Sequence, residues 1–576
     1  SVWRRWCCGW AGDGLCVAAM TTAELLFRNA TIVDGTGAPA YQGDVAVGGG
    51  RILPAGGTAA RTVDASGLIL APGFIDVHTH YDAQLWWDAA ASPSLLHGVT
   101  TVVIGNCSIS LAPVSAADHT TIARLFETIE DIPAQVFEAA VPWGWESFPQ
   151  YLERMRGGLG IHVGALLGLS TLRLHVMGEA ARERTATDAE IELMCQAVRE
   201  AMAAGAIGVS GSNLDVDEKL QPVACRKADW KEKLALCKAM MECGHGVWQS
   251  APDWPNPAQQ LLDIAELGGL SRETGCTASF AKLFQHVGAP QAWRDCLAAL
   301  EHETRHGAHV YAQVPPRAID LTLRLDGGSI LLLVLPSWMQ IMRLPLSERL
   351  RRFASPMRRR ALVREAGLLE SVWQRTIIAK TFEPANAKYD GRPLSEVARE
   401  RGQSNAEALL DIAVSDGLHT IFQIPRIGNS DDSAVLTMLT HPCSMIGGSD
   451  AGAHLAQFSG AGDAVYVLEH LVREKKAMTL EHAIRELTAR PAALWGIKDR
   501  GVIRPGAHAD LVLFDQATVA TSAEVDVNDL PGGGRRLVRH ASGIRMVVLG
   551  GVVAAEDGKH LGARNGTVAE LGPSTH

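Results

Sequence analysis

The sequence predicts an α/β fold: a (β/α)8 TIM-type barrel with a small β-sandwich domain built from both termini and an insertion between the last two barrel strands. Three observations carry this. Short apolar runs alternate with helical text through the middle of the chain, as in parallel α/β structure. Strand-and-turn text stands at both ends, too little at either to make a stable sheet alone. Between the last two apolar runs lie residues 318–440, too many for a plain loop.

Residues 1–19 are rich in Trp and Cys and precede Met20. They are expected to be a non-native or disordered extension. A signal peptide is disfavoured because Gly9, Gly12, Asp13 and Gly14 break the apolar region it needs. Residues 20–72 and 492–576 are assigned to the small β-domain: 26–33, 44–47, 509–515 and 544–553 read as strands separated by Gly-rich turns. The barrel takes residues 73–491. Its strands are expected at 74–78, 99–104, 162–167, 206–210, 246–249, 277–283, 309–314 and 444–447. Helical spacing fills the gaps, most clearly over 188–204. The inserted subdomain carries helical text at 346–353 and 405–415 and is placed where it can cover the barrel mouth.

Composition narrows the function. The 576 residues are 47% hydrophobic and 20% charged, with a formal net charge of −10. That balance argues against nucleic acid or an anionic membrane surface as the main partner. No apolar run approaches the roughly 20 residues of a membrane span. Eleven scattered cysteines with no CxxC pair fit a reducing compartment, so a cytoplasmic location is expected. The expected partner is a small-molecule substrate, and a homo-oligomer is compatible with the sequence.

Chemistry concentrates at strand ends. Pro72-Gly73-Phe74-Ile75-Asp76-Val77-His78-Thr79-His80 is a short apolar strand closing in His-x-His. Alternate strand residues point to one side, so the two imidazoles face the same way. Cys107 follows Gly105-Asn106 at the end of the second strand, and Asp450 follows Gly448-Ser449 at the end of the last. In a closed barrel, first and last strands are neighbours and functional groups gather at carboxyl ends. His78, His80, Cys107 and Asp450 can therefore converge, and imidazole, thiolate and carboxylate together suit Zn²⁺. Affinity order alone leaves Mn²⁺ and Fe²⁺ open. Cys195, Cys237 and Cys296 lie in helical text and are read as core, as are Trp86 and Trp87.

These motifs resemble the amidohydrolase superfamily. The His78-Thr79-His80 segment is similar to its first metal motif, Gly105-Asn106-Cys107 to the second-strand motif of the D-aminoacylase (N-acyl-D-amino-acid deacylase) branch, and Gly448-Ser449-Asp450 to its catalytic aspartate motif. Ser170-Thr171-Leu172-Arg173 with Val176-Met177-Gly178 resembles the third-strand segment, and residues 500–512 resemble the return into the β-domain. The resemblance implies a metal-dependent amidohydrolase that cleaves an amide-type C–N bond by attack of metal-activated water. Asp450 is then both metal ligand and catalytic base and acid. Lys282 resembles a substrate-binding lysine of that branch. Arg173 and Arg317 are candidates for holding a substrate carboxylate, which arginine binds bidentately.

The sequence departs from the branch at the fifth and sixth strands, where it has Trp248-Gln249-Ser250 and Ser279-Phe280 in place of histidine ligands. One Zn²⁺ is favoured over two, with His286, His309 and His454 as reserve ligands. The alternatives are hydrolysis of a carbamate, urea, cyclic amide or ester on the same fold, and an inactive barrel acting as a binding or assembly protein.

Overall fold

The computed structural model describes residues 23–54, 58–327 and 329–576. The expected extension over residues 1–19 lies outside them. The barrel strands are Phe74–Asp76, Val99–Ile104, His162–Gly168, Gly208–Ser212, Val247–Ala251, Thr277–Ala281, Val310–Val314 and Ser444–Ile446. They form one eight-stranded sheet in which each strand pairs with its neighbour in chain order, and every pair is parallel. Val99–Ile104 is buried at every position, as expected for a strand covered by helices on one side and filled by side chains on the other.

The ends of the sheet meet. Thr79 and Ala451 form a parallel bridge. The His80 N–H donates to the Ala451 carbonyl at 2.8 Å, and the Asp450 N–H donates to that of His78 at 3.2 Å. The segments after the first and last strands thus lie side by side. Helix Asp188–Ala204 illustrates how the outer layer is specified. Thr187 and Glu190 make a reciprocal capping box at its start, and Gly205 ends it in a left-handed conformation.

The β-domain is one nine-stranded sheet around a core that includes Phe27, Val47, Leu70, Leu511, Leu513 and Met546. Its two chain segments join where Ile69–Pro72 pairs antiparallel with Leu511–Phe514, Leu70 opposite Leu513. Residues 492–576, assigned as a whole to this domain, do three jobs. The stretch 515–543 leaves the sheet as two nested two-stranded ladders that end in one hairpin and reaches the barrel mouth, where Glu524 Oε1 accepts the Ser459 N–H at 2.7 Å. The tail bridges Val568 to Val163 and Leu571 to Ile497. It packs Ala569 with Ile75, Leu166 and Tyr311 at the amino-terminal end of the barrel.

The insertion has its own core, with Leu323, Trp338, Trp373, Leu409 and Phe422. Helices Leu346–Phe353 and Asn405–Ser415 occur where the spacing puts them. A four-stranded sheet lies among them. Helix Asp432–Leu439 buries Val435 and Met438 in the main barrel core. It is a barrel helix, and the insertion ends before it rather than at residue 440.

Candidate metal centre

Local backbone geometry aims the side chains. Gly105 has φ +77°, and a Cβ there would fall 2.1 Å from the Leu166 carbonyl oxygen, so only glycine fits against the third strand. Cys107 and Ser108 follow in the left-handed region, at φ 54° and 69°. This turn brings Cys107 Sγ to 3.5 Å from His78 Nε2. Asp450 is also left-handed, at φ 56°. Its Oδ1 lies 3.3 Å from His78 Nε2 and 3.8 Å from His80 Nε2, and its Oδ2 accepts from Lys282 Nζ. The ligand atoms of His78, His80 and Cys107 all lie within 4.8 Å of one another.

The rings are oriented from behind. Gln313 Nε2 donates to Ser279 Oγ at 2.9 Å, which leaves its Oε1 to accept from His78 Nδ1 at 2.8 Å. The His78 proton therefore sits on Nδ1, and its Nε2 presents a lone pair. His80 Nδ1 lies 3.1 Å from Glu130 Oε1. Burial brings the His78 pKa down to about 3 and lowers that of His80, so both rings are neutral at pH 7. Burial also opposes ionisation of Asp450, but Lys282 and then the two histidines overcome it and hold this carboxyl well below the usual range. Burial raises the Cys107 pKa well above its ordinary value, so the thiol carries its proton here. Two imidazoles, a carboxylate and a thiol that a bound cation would deprotonate are residue types that fit a divalent cation of the zinc type.

The fifth and sixth strands supply no histidine. Gln249 is fully buried, with its Oε1 3.4 Å from the Cys107 N–H. Ser279 is tied to Gln313, and Phe280 is buried. Of the reserve histidines, only His454 is near: it is buried within electrostatic reach of Asp450, Lys282 and His80. His286 packs against Trp254, ring centroids 5.1 Å apart. His309 stacks on the terminal His576 at 3.7 Å.

A solvent-open cavity adjoins the centre. Lys282, Ser449, Arg317, Phe458, Glu524 and Arg539 line it, the last two from the C-terminal hairpin. Arg317 is braced by Asp463 at 2.5 Å and by the carbonyls of Ser459 and Gly460. Arg173 corrects the sequence reading. It sits on the helix Leu169–Met177 after the third strand, not at the cavity, and has no exposed surface. Its guanidinium is held by Glu232 and by the carbonyls of Ala181 and Arg184, and its full burial puts it out of a substrate's reach. Trp86 stacks on Trp145 at 4.9 Å, and Cys195, Cys237 and Cys296 are buried.

Sequence reasoning missed Glu130, Gln313 and Arg539. Gln313 had a signal, a lone amide inside an apolar strand. Glu130 ends an amphipathic helix and Arg539 lies in turn-rich text, and neither position stands out.

Residues 61–555 match the amidohydrolase family. The chain belongs to that family. It is a hydrolase of carbon–nitrogen bonds other than peptide bonds. The chain is 30% identical over 521 residues to the N-acyl-D-aspartate deacylase of Alcaligenes xylosoxydans xylosoxydans, covering 88% of each protein. It is 29% identical to the D-aminoacylase of the same organism, over 95% of this chain and 97% of that one. A solved structure of D-aminoacylase, a protein described with a binuclear metal center, superposes with a TM-score of 0.65 at 26% identity, covering 95% of this chain and 99% of the other. Among the described residues, no helix of this amidohydrolase is long and apolar enough to cross a membrane.

Proposed function

We propose that this amidohydrolase is an N-acyl-D-amino-acid deacylase-like enzyme working with one Zn²⁺ held by His78, His80, Cys107 and Asp450. The observation that carries the reading is the convergence of both imidazole Nε2 atoms on Asp450 Oδ1, beside a cavity lined by Lys282 and Arg317. The names of the relatives support the substrate class. The absence of histidine at Gln249 and Phe280 supports a single ion, since the partners for a second are replaced by an amide and a phenyl ring.

Zinc in such a site polarises a carbonyl and lowers the pKa of water from 15.7 towards about 7. The remaining work belongs to the protein. Lys282 keeps Asp450 ionised, and the carboxylate takes the proton of the attacking water and returns it to the leaving nitrogen. Arg317, fixed by Asp463 through Nε and by two carbonyls through Nη2, presents Nη1 to a substrate carboxylate in the cavity. The test is metal analysis of the purified chain together with hydrolysis of paired N-acyl-D- and N-acyl-L-amino acids, N-carbamoyl amino acids and cyclic amides. One zinc per chain and preferential cleavage of the N-acyl-D series are expected. A metal-free protein inert to the whole panel would overturn the reading in favour of a binding protein.

A further inference from the structure

We propose that the outward face of helix Pro356–Ala366, in the inserted subdomain, docks the enzyme onto an anionic lipid bilayer surface.

Charge is unevenly spread along this chain. Its formal net charge is −10, yet residues 349–364 hold seven arginines and no aspartate or glutamate. Four of the seven are used inside the subdomain. Arg349 donates to the carbonyls of Leu325, Gly327 and Leu344. Arg351 and Arg352 pair with Glu348, and Arg359 pairs with Asp411. Arg358, Arg360 and Arg364 are exposed, and their guanidiniums have no hydrogen bond or ion pair among the described residues.

The helix aims these groups outward. Leu362 and Ala366 are buried and fix its inner side. Met357, Arg360, Ala361 and Arg364 recur at i, i+3, i+4 and i+7, so they share the opposite face, with Arg358 at its edge. The turn Gly367–Leu369 follows directly and carries Leu368. Met357 is 93% exposed and Leu368 74%. One exposed apolar side chain means little. Two of them, at either end of a row of unpaired guanidiniums, make a surface that is cationic and apolar at once.

A bilayer matches such a surface better than its rivals do. Guanidiniums pair with the phosphates and carboxylates of lipid headgroups, and the apolar side chains reach the acyl boundary just below. Nucleic acid offers the phosphates but leaves Met357 and Leu368 unburied, and the face has no aromatic ring on which a base could stack. A second copy meeting the same face would set arginine against arginine. The net charge, which argues against an anionic membrane as the main partner, does not forbid this local contact. At physiological ionic strength charges beyond about 8 Å are largely screened, so the residues nearest the bilayer decide. The docking is peripheral, since no helix among the described residues is long and apolar enough to cross a membrane.

The test is co-sedimentation of the full chain with vesicles of phosphatidylcholine and phosphatidylserine, and with vesicles of phosphatidylcholine alone, at low and high salt. The wild-type protein is expected to bind the anionic vesicles at low salt, to leave them at high salt and to ignore the neutral ones. Each arginine near such a surface is worth about fivefold in affinity, so Arg358→Gln/Arg360→Gln/Arg364→Gln should bind about 100-fold more weakly. Met357→Ser/Leu368→Ser should bind more weakly too, with its salt dependence unchanged. Circular dichroism melts establish that both variants are folded. No binding to the anionic vesicles, equal binding to the neutral ones, or wild-type affinity in either variant overturns the proposal. So does displacement of the vesicles by a DNA oligonucleotide or by polyglutamate at equal charge, which would assign the face to a different polyanion.

Discussion

Lys282 and Asp450 form a partly buried ion pair that divides the two carboxylate oxygens between two tasks. Oδ2 is committed to the ammonium, while Oδ1 faces both histidine Nε2 atoms. The strand Thr277–Ala281 ends at Lys282, and the strand Ser444–Ile446 leads into Asp450, so the pair spans the mouth of the barrel. Replacing Asp450 by Asn keeps the shape and removes the proton acceptor. Turnover should fall by about 10²–10⁴-fold. Zinc content measured on the same preparation separates loss of the base from loss of a ligand.

Arg317 faces the cavity with its fork already braced by Asp463. Arg317→Lys retains the charge and loses the fork whose Nε and Nη2 are braced while Nη1 faces the cavity. KM for an N-acyl amino acid should rise about tenfold or more, from the worth of a hydrogen bond to a charged group, with a smaller change in kcat. Steady-state kinetics on one substrate decide it.

Arg173 should behave differently. Its ion pair with Glu232 has both side chains fully buried. Arg173→Met strands a buried carboxylate and should cost about 3–5 kcal/mol of stability. Adding Glu232→Met should recover much of that. Thermal or urea melts of the single and double variants check the sign, and KM of any folded protein should be unchanged.

Gly105→Ala tests how Cys107 is aimed. The added methyl meets the Leu166 carbonyl in a backbone conformation that alanine disfavours. The turn must move, carrying Cys107 away from His78. Zinc affinity should fall more than global stability, as read by chelator competition beside a thermal melt.

His97 makes stability depend on pH. It is buried, and burial, followed by its other interactions, leaves its pKa at about 4. The unfolded chain takes up that proton near the ordinary value of about 6.5. The contribution, about 3 kcal/mol, is therefore present above pH 6.5 and is lost as the pH falls through 4. His162, also lowered by burial, acts in the same direction. Tm should drop between pH 7 and pH 5, and the drop should shrink in His97→Gln.

Much of this was readable in one dimension, for a physical reason. A barrel strand is buried on both faces, so it appears as an unbroken apolar run such as Val99–Ile104. A ligand at its carboxyl end stands out as the polar residue where that run stops. His78, His80, Cys107 and Asp450 carry that signature, and Lys282 follows its strand directly. Arg173 carries it only superficially. It too follows an apolar strand, but it lies on the next helix, and nothing in its sequence surroundings distinguishes a guanidinium that faces a cavity from one that faces Glu232. Glu130 escaped for the opposite reason. Its place 3.1 Å from His80 Nδ1 depends on the chain folding back across 50 residues, and its own helix explains its text completely. Arg539 and Glu524 were grouped with the β-domain because hairpin text does not record which surface the hairpin travels to.

The pairing of Leu70 with Leu513 constrains the order of events at the ribosome. Roughly 440 residues separate the partners, so at about 5–20 residues per second the amino-terminal strands wait on the order of 20–90 s for the strand that completes their sheet. The whole barrel emerges in that interval, yet the segment that packs beneath it and the hairpin that walls its cavity are synthesised last. Throughout that time the nascent chain exposes unpaired strand edges, and this is when it would depend most on chaperones.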